Sequence, residues 1–237
     1  MIYSELITSL KFGLDKLDSL GLPNFESEEL DLLLNQAQDR YVKQRYGLNN
    51  NKRQSFEETQ KRTDDLKALV INAIITPSAN ATDNKPLGRF VTLPSTVHAT
   101  TPASNIAYWF TVQEECDVTY TNVHGTSVTH RVVVKPISHD EYSNIIKDPF
   151  NKPDKNEVVR LMENGKVELI PGTGTTLGDY YLRYIKRPIR IASSSSVTCE
   201  LSEHTHEEVV SLAIQIALEA IESPRGQTFD KVVNANE

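Results

Sequence analysis

The chain is 237 residues long, with 38% hydrophobic residues, a net charge of −7, a pI near 5.4 and a mean hydropathy of −0.40. That length supports one large domain or two small ones with a real core. The acidic balance argues against a chain-wide electrostatic grip on nucleic acid, and no run approaches the roughly 20 apolar residues that span a bilayer. Two cysteines, Cys116 and Cys199, lie far apart without metal-ligand or disulfide spacing, as in a reduced compartment.

Residues 3–20 carry Leu6, Leu10, Leu14 and Leu17 on one helical face, and Gly21-Leu22-Pro23 breaks the pattern. Ser27 opens a second helix with Glu28 and Glu29 in its first turn. Leu30, Leu33, Leu34, Ala37 and Tyr41 form its buried stripe, and Gly47 ends it. Asn49 to Arg53 is a polar loop. The spacing of Leu66, Leu69, Val70, Ala73 and Ile74 predicts a third helix over 55–75.

The composition changes after Thr76-Pro77. Residues 77–105, rich in Pro, Ser, Thr, Asn and Ala, read as an extended arm or long loop with a short strand candidate at Gly88–Leu93. Ala107–Val112 is a strand by its aromatic content, and alternation predicts that Trp109 faces opposite to Tyr108 and Phe110. Cys116–Asn122 and Ser127–Lys135 flank a turn as an antiparallel hairpin. Ser138 caps a short helix over 139–147, and Asp148 to Pro153 is a proline-stiffened loop. Val158–Met162 and Lys166–Ile170 form a second hairpin across Glu163-Asn164-Gly165.

Tyr180–Ile191 reads as a strand interrupted by Pro188, with Ala192 to Ser196 as a polar spacer. Ser202 caps the most regular helix of the chain, in which Val209, Leu212, Ala213, Ile216, Ala217 and Ala220 recur at three- and four-residue steps. The tail follows from Ser223. The fold class is α+β, with an N-terminal helical hairpin or bundle, an antiparallel β-rich middle and a long C-terminal helix. The segmentation is 1–76 (N-terminal helices packing with the helix at 203–222), 77–105 (arm), 106–201 (β-rich) and 202–237 (helix and tail).

Chemical motifs fail on inspection. The loop at 171–178, PGTGTTLG, lacks the Gly-Lys-Ser/Thr of a P-loop and joins strand to strand rather than strand to helix. His204 and His206 are two apart rather than four, and no spacing supplies a third metal ligand. No Gly-x-Ser-x-Gly elbow occurs. The paired carboxylates Asp64-Asp65 and Glu114-Glu115 read as pointing to opposite or solvated faces. Arg183, Lys186, Arg187 and Arg190 form a basic cluster, most simply a solvated strand face. No catalytic, metal or cofactor site is expected.

Three stretches in order, KPISHDEYSNIIKDPFNKP at 135–153, GDYYLRYIKRPIRI at 178–191 and CELSEHTHEEVVSLAIQIALEAIESPRGQ at 199–227, preceded by QDRYVKQRYG at 38–47, resemble the head–tail connector (adaptor or ring) proteins of crAss-like, podovirus-type bacteriophages. The resemblance implies a virion protein of the head–tail junction, made in the host cytoplasm. It implies a homo-oligomeric ring, a dodecamer matching a portal, with portal and other tail or ring proteins as partners. Genomic DNA would pass without sequence-specific binding, and no enzyme activity, cofactor or membrane is involved. Pro149, Phe150, Pro153, Arg187 and Arg190 are the candidate inter-subunit contacts. The rival reading is a carbohydrate- or receptor-binding tail module, with Tyr108, Trp109 and Phe110 as its candidate platform.

Overall fold

A computed structural model describes residues 1–17, 25–47, 56–79, 81–82, 85–97, 104–193 and 197–220. The expected break at 21–23, the loop at 49–53, part of the 77–105 arm, the serines at 194–196 and the tail from Ser223 lie outside the described residues. The chain divides into a helical unit, residues 1–70, 97–105 and 187–237, and a β unit, residues 71–96 and 106–186. The β unit is therefore inserted into the sequence of the helical one.

The helical unit contains α1 (Tyr3–Leu17), α2 (Ser27–Tyr46), α3 (Gln60–Leu66) and α5 (His206–Ala220). The long apolar helix α5 packs against both α1 and α2. Leu6 and Leu10 of α1, Leu34 and Ala37 of α2, and Val209, Ala213, Ala217 and Leu218 of α5 are completely buried. Their three- and four-residue spacing is what brings each set onto one face. At the start of α2, the Glu29 side chain accepts from the Glu26 N–H at 2.9 Å, so Glu26 rather than Ser27 is the capping residue. Ser202 does not cap α5. A 3-10 turn, Glu203–Thr205, precedes the helix, and the Ser202 hydroxyl donates to the Asp64 carbonyl at 3.0 Å.

The helix expected over 55–75 is only α3. A 3-10 turn at Lys67–Leu69 ends it, and Val70–Ile75 is strand β1. The sequence VINAII fits the helical spacing but is dominated by β-branched residues, which lose rotamer freedom in a helix and pack well on a pleated surface.

The β unit holds β1 to β3 (β2 Ala81–Thr82, β3 Lys85–Thr92), β4 (Tyr108–Thr121), β5 (Ser127–Pro136), α4 (His139–Lys147), β6 (Val158–Glu163), β7 (Lys166–Ile170) and β8 (Thr175–Lys186). Part of the segment expected as an arm is thus a sheet strand. The eight strands lie in the order β1-β8-β4-β5-β6-β7-β3-β2. Among the described residues β2–β3, β3–β7, β4–β5, β4–β8 and β6–β7 pair antiparallel, and β5 and β6 run parallel because α4 forms the crossover between them.

The two ends of this order, β1 and β2, are consecutive in sequence. The Ser78 N–H between them donates to the Phe90 carbonyl of β3 at 2.8 Å. Ile71, Ala73 and Ile75 of β1 pack in one cluster with Val91 of β3, Leu169 of β7, Val134 of β5, Val118 of β4 and Leu182 of β8. One face of every long strand meets in a single core, so the sheet is rolled and a bent chain segment joins its ends. A rolled sheet leaves little free strand edge.

Both expected hairpins form. Their turns place Gly125 and Gly165 at φ of 76° and 71°, where a residue with a Cβ is strained. α4 begins at Ser138, whose hydroxyl accepts from the Glu141 N–H, and the Glu141 carboxylate answers to the Ser138 N–H. Ile137 and Tyr142 bring this helix onto a second, outer cluster of Val159, Leu161 and Ile170.

Two readings of the aromatic strands change. Trp109 and Phe110 stack at 4.8 Å and 21°, because the β4–β8 register shifts between Tyr108 and Phe110 and breaks the alternation. The strand read as Tyr180–Ile191 ends at Lys186, two residues before Pro188. Beyond it, residues 189–193 are held within the helical unit by side chains of α2 and of Glu200. Asn35 brackets Ile191 through both its N–H and carbonyl, Gln38 donates to the Ile189 carbonyl, and Glu200 accepts from the Ile189 N–H. Buried amides here take over the hydrogen bonds that a sheet would otherwise supply.

Candidate functional site

The carboxylate pairs divide by side. In the helical unit, Asp64 is half-buried and pairs with Lys67, whereas Asp65 is completely buried. Asp65 stands 3.1 Å from the Arg45 guanidinium and 2.9 Å from His204 Nε2. Arg45 also meets Glu208 of α5, which Lys61 approaches to 3.4 Å. Arg62 donates to the carbonyls of Gln44 and Arg45 at the end of α2. A chain of charge-assisted contacts thus ties α2, α3 and α5 together.

The β unit repeats the device. Glu114 points into the rolled sheet, where it accepts from the Tyr180 hydroxyl and from Arg160, each at 2.5 Å. Its neighbour Glu115 faces outward toward Arg131. Burial, followed by the Glu114 charge, holds the Tyr180 phenol protonated far above its usual range. Both networks are internally matched, with cation and carboxylate in contact. Such matching is what makes buried charges tolerable in a packed interior.

The other titratable groups point the same way. Burial pushes the Cys116 thiol up to about 12 and the Cys199 thiol up to about 11, which keeps both protonated and poorly nucleophilic at neutral pH. His206 faces the Leu201 carbonyl through Nε2 at 3.0 Å and the Met1 amino group through Nδ1 at 3.1 Å. Desolvation lowers its pKa. A carbonyl only accepts and an ammonium only donates, so the neutral Nε2–H tautomer fits and both ring nitrogens are engaged. His204 is committed to Asp65. Among the described residues no group of three or more His, Cys, Asp or Glu side chains could hold a metal, and no helix is long and apolar enough to cross a membrane.

The chemistry that remains lies on the surface. The candidate contact residues fall in two places. Pro149 and Phe150 are exposed on the loop after α4, with Phe150 at 93%, while Pro153 on the same loop is buried. The Phe150 N–H and the Asn151 amide both donate to the Asp148 carboxylate, and the Lys152 N–H to the Asp148 carbonyl. These bonds hold the Asp148 carboxyl below its ordinary range and fix the loop with its phenyl group outward.

Arg187 and Arg190 belong to the helical unit instead, both half-exposed and directed at Asp39 at 4.0 and 3.4 Å. The basic strand face expected from sequence is thereby dispersed. Lys186 is buried and Arg183 bonds Asn72 on the outer sheet face. Sequence reasoning missed Leu32, Val123 and Ile74, exposed at 57%, 96% and 67%. Only α2's own periodicity, which puts Leu32 off the buried stripe, could have flagged one of them.

The described surface carries several large exposed apolar side chains, Phe150, Val123, Ile74 and Leu32 among them. The chain belongs to the phage tail ring protein 3/4 family, whose model matches residues 1–228. It is also similar to ring protein 4/5 of Bacteroides phage crAss001, at 25% identity over 221 residues, covering 84% of each chain. The connector resemblance read from the sequence is therefore supported at the level of a crAss-like phage ring protein, a structural component of the virion.

Proposed function

We propose that the protein is a ring-forming head–tail connector, one of the rings between portal and tail, through which the genome leaves the capsid. Family membership carries this reading, since a tail ring protein matches nearly the whole chain. Several physical features support it. The net charge of −7 suits a conduit from which DNA phosphates are repelled rather than held. A buried charged network braces each unit internally, so each needs little further ordering on assembly. A ring made from one chain uses a heterologous interface, in which two different patches of each copy meet. The proposed stoichiometry is twelve, to match a portal, and portal and neighbouring tail rings are the proposed partners.

Pro149, Phe150, Pro153, Arg187 and Arg190 are the proposed contact residues, and Phe150 is the sharpest test. Its ring is almost fully exposed, so Phe150→Ser is expected to change folding stability by no more than about 0.5 kcal/mol. If Phe150 is a buried anchor in the assembled ring, the same change weakens assembly by about tenfold or more. Equilibrium unfolding and sedimentation of the same preparation separate the two effects. For the placement in the virion, imaging of purified particles tests the reading: ring density between portal and tail that this chain fits supports it, and a position elsewhere in the particle refutes it.

A further inference from the structure

On the β unit, α4 and the loop that follows it stand over a notch of about 190 Å³ lined by Lys85, Leu87, Tyr142, Ile146, Lys152 and Pro153. An apolar cavity of about 150 Å³ accepts a benzene-sized group, so this notch has room for one aliphatic side chain. Two of its lining side chains are large, apolar and exposed, Leu87 at 41% and Ile146 at 36%. Lys85 is anchored by Glu168 at 2.6 Å and lies over the Tyr142 ring at 5.2 Å, which fixes one cation at the wall. Lys152, exposed at the notch, belongs to the loop that Asp148 organises and donates its N–H to the Asp148 carbonyl. The chemistry of the notch is apolar at its floor and cationic at its edge. It calls for an apolar side chain flanked by carboxylates.

Such a feature exists on the helical unit. Leu32 of α2 is 57% exposed, and Glu28 and Glu29, one turn earlier on the same helical face, are exposed as well. Ile74, by contrast, lies in the uncharged strand VINAII, and Val123 sits in the turn Asn122–Thr126. The knob belongs to the helical unit and the notch to the β unit, and a head-to-tail contact joins two different patches of each copy. We infer that the notch beneath α4 receives Leu32 of a second copy of this chain, with Glu28 of that copy meeting Lys152 at its rim. This deepens the ring reading and rests on it, by naming the two patches that meet.

The test is a charge exchange in the full-length chain, read by sedimentation against the wild-type assembly. Lys152→Glu is expected to raise the concentration needed for half-assembly by about tenfold or more, since like charges then face each other. Glu28→Lys alone has the same effect, and the two together restore assembly toward the wild-type concentration. Both positions are exposed, so an unchanged unfolding curve confirms that the variants fold. Leu32→Cys mixed with Ile146→Cys gives a second readout: a disulfide-linked pair of chains on oxidation supports the contact. A wild-type ring that persists unchanged through all the single variants, with no rescue and no cross-link, overturns the notch and leaves the ring reading intact. A wild-type chain that never assembles overturns the ring reading and the notch with it.

Discussion

Arg45→Met is expected to destabilise the helical unit by about 3–5 kcal/mol, because it leaves Asp65 charged and buried with only His204 beside it. The Arg45 side chain is 3% exposed and that of Asp65 is 0%, so water cannot replace the lost partner. Glu208, by contrast, keeps Lys61 and some solvent contact and adds little to the cost. The double variant Arg45→Met with Asp65→Leu is expected to recover most of the loss, since an apolar pair of similar volume removes the stranded charge. Chemical denaturation of the two variants decides the point. A double variant as unstable as the single one contradicts the network's role and points to packing as the whole effect.

Glu114→Leu is expected to cost about 3 kcal/mol, the lower end for a broken buried pair, because the Arg160 side chain retains 14% exposure and can turn partly toward water. The Tyr180 hydroxyl, fully buried, loses its acceptor at the same time. The adjacent substitution Glu115→Leu is the control. Glu115 faces Arg131 at 4.0 Å on the partly exposed outer surface, and its loss is expected to cost at most about 1 kcal/mol. Trp109, the single tryptophan, lies in β4 of the same unit and supplies the fluorescence signal for both unfolding curves. Equal costs at 114 and 115 would refute the assignment of one carboxylate to the interior and the other to solvent.

These two pairs also show where sequence reading stopped. Alternation along a strand, or a 100° step along a helix, correctly predicts that adjacent carboxylates part company. It does not reveal that one of each pair goes inward, because a partner that makes burial tolerable is remote: Arg160 is 46 residues from Glu114, and His204 is 139 from Asp65. Local signals were legible where local physics decides. The two hairpins, the Ser138-capped helix α4 and the apolar stripes of α2 and α5 all follow from turn glycines, caps and periodicity within a few residues.

Two local readings failed for tertiary reasons. The stretch after Leu66 kept helical spacing, yet its β-branched residues joined the rolled sheet as β1. The strand at Tyr180 ended at Lys186 because residues 189–193 found hydrogen-bond partners on α2, some 150 residues earlier in the chain, instead of a neighbouring strand. Surface function was the least legible. Phe150 was visible as an apolar residue in a proline-flanked loop, but the notch beside it comes from β3, α4, β7 and the loops around them and has no sequence signature.

The central claim is that this chain closes into a ring of fixed size. Native mass measurement of the purified full-length protein at micromolar concentration, alone and with portal added, tests it most directly. The account predicts one discrete homo-oligomer, of twelve copies in the proposed form, without a ladder of open intermediates. A monomer that stays a monomer under both conditions contradicts it.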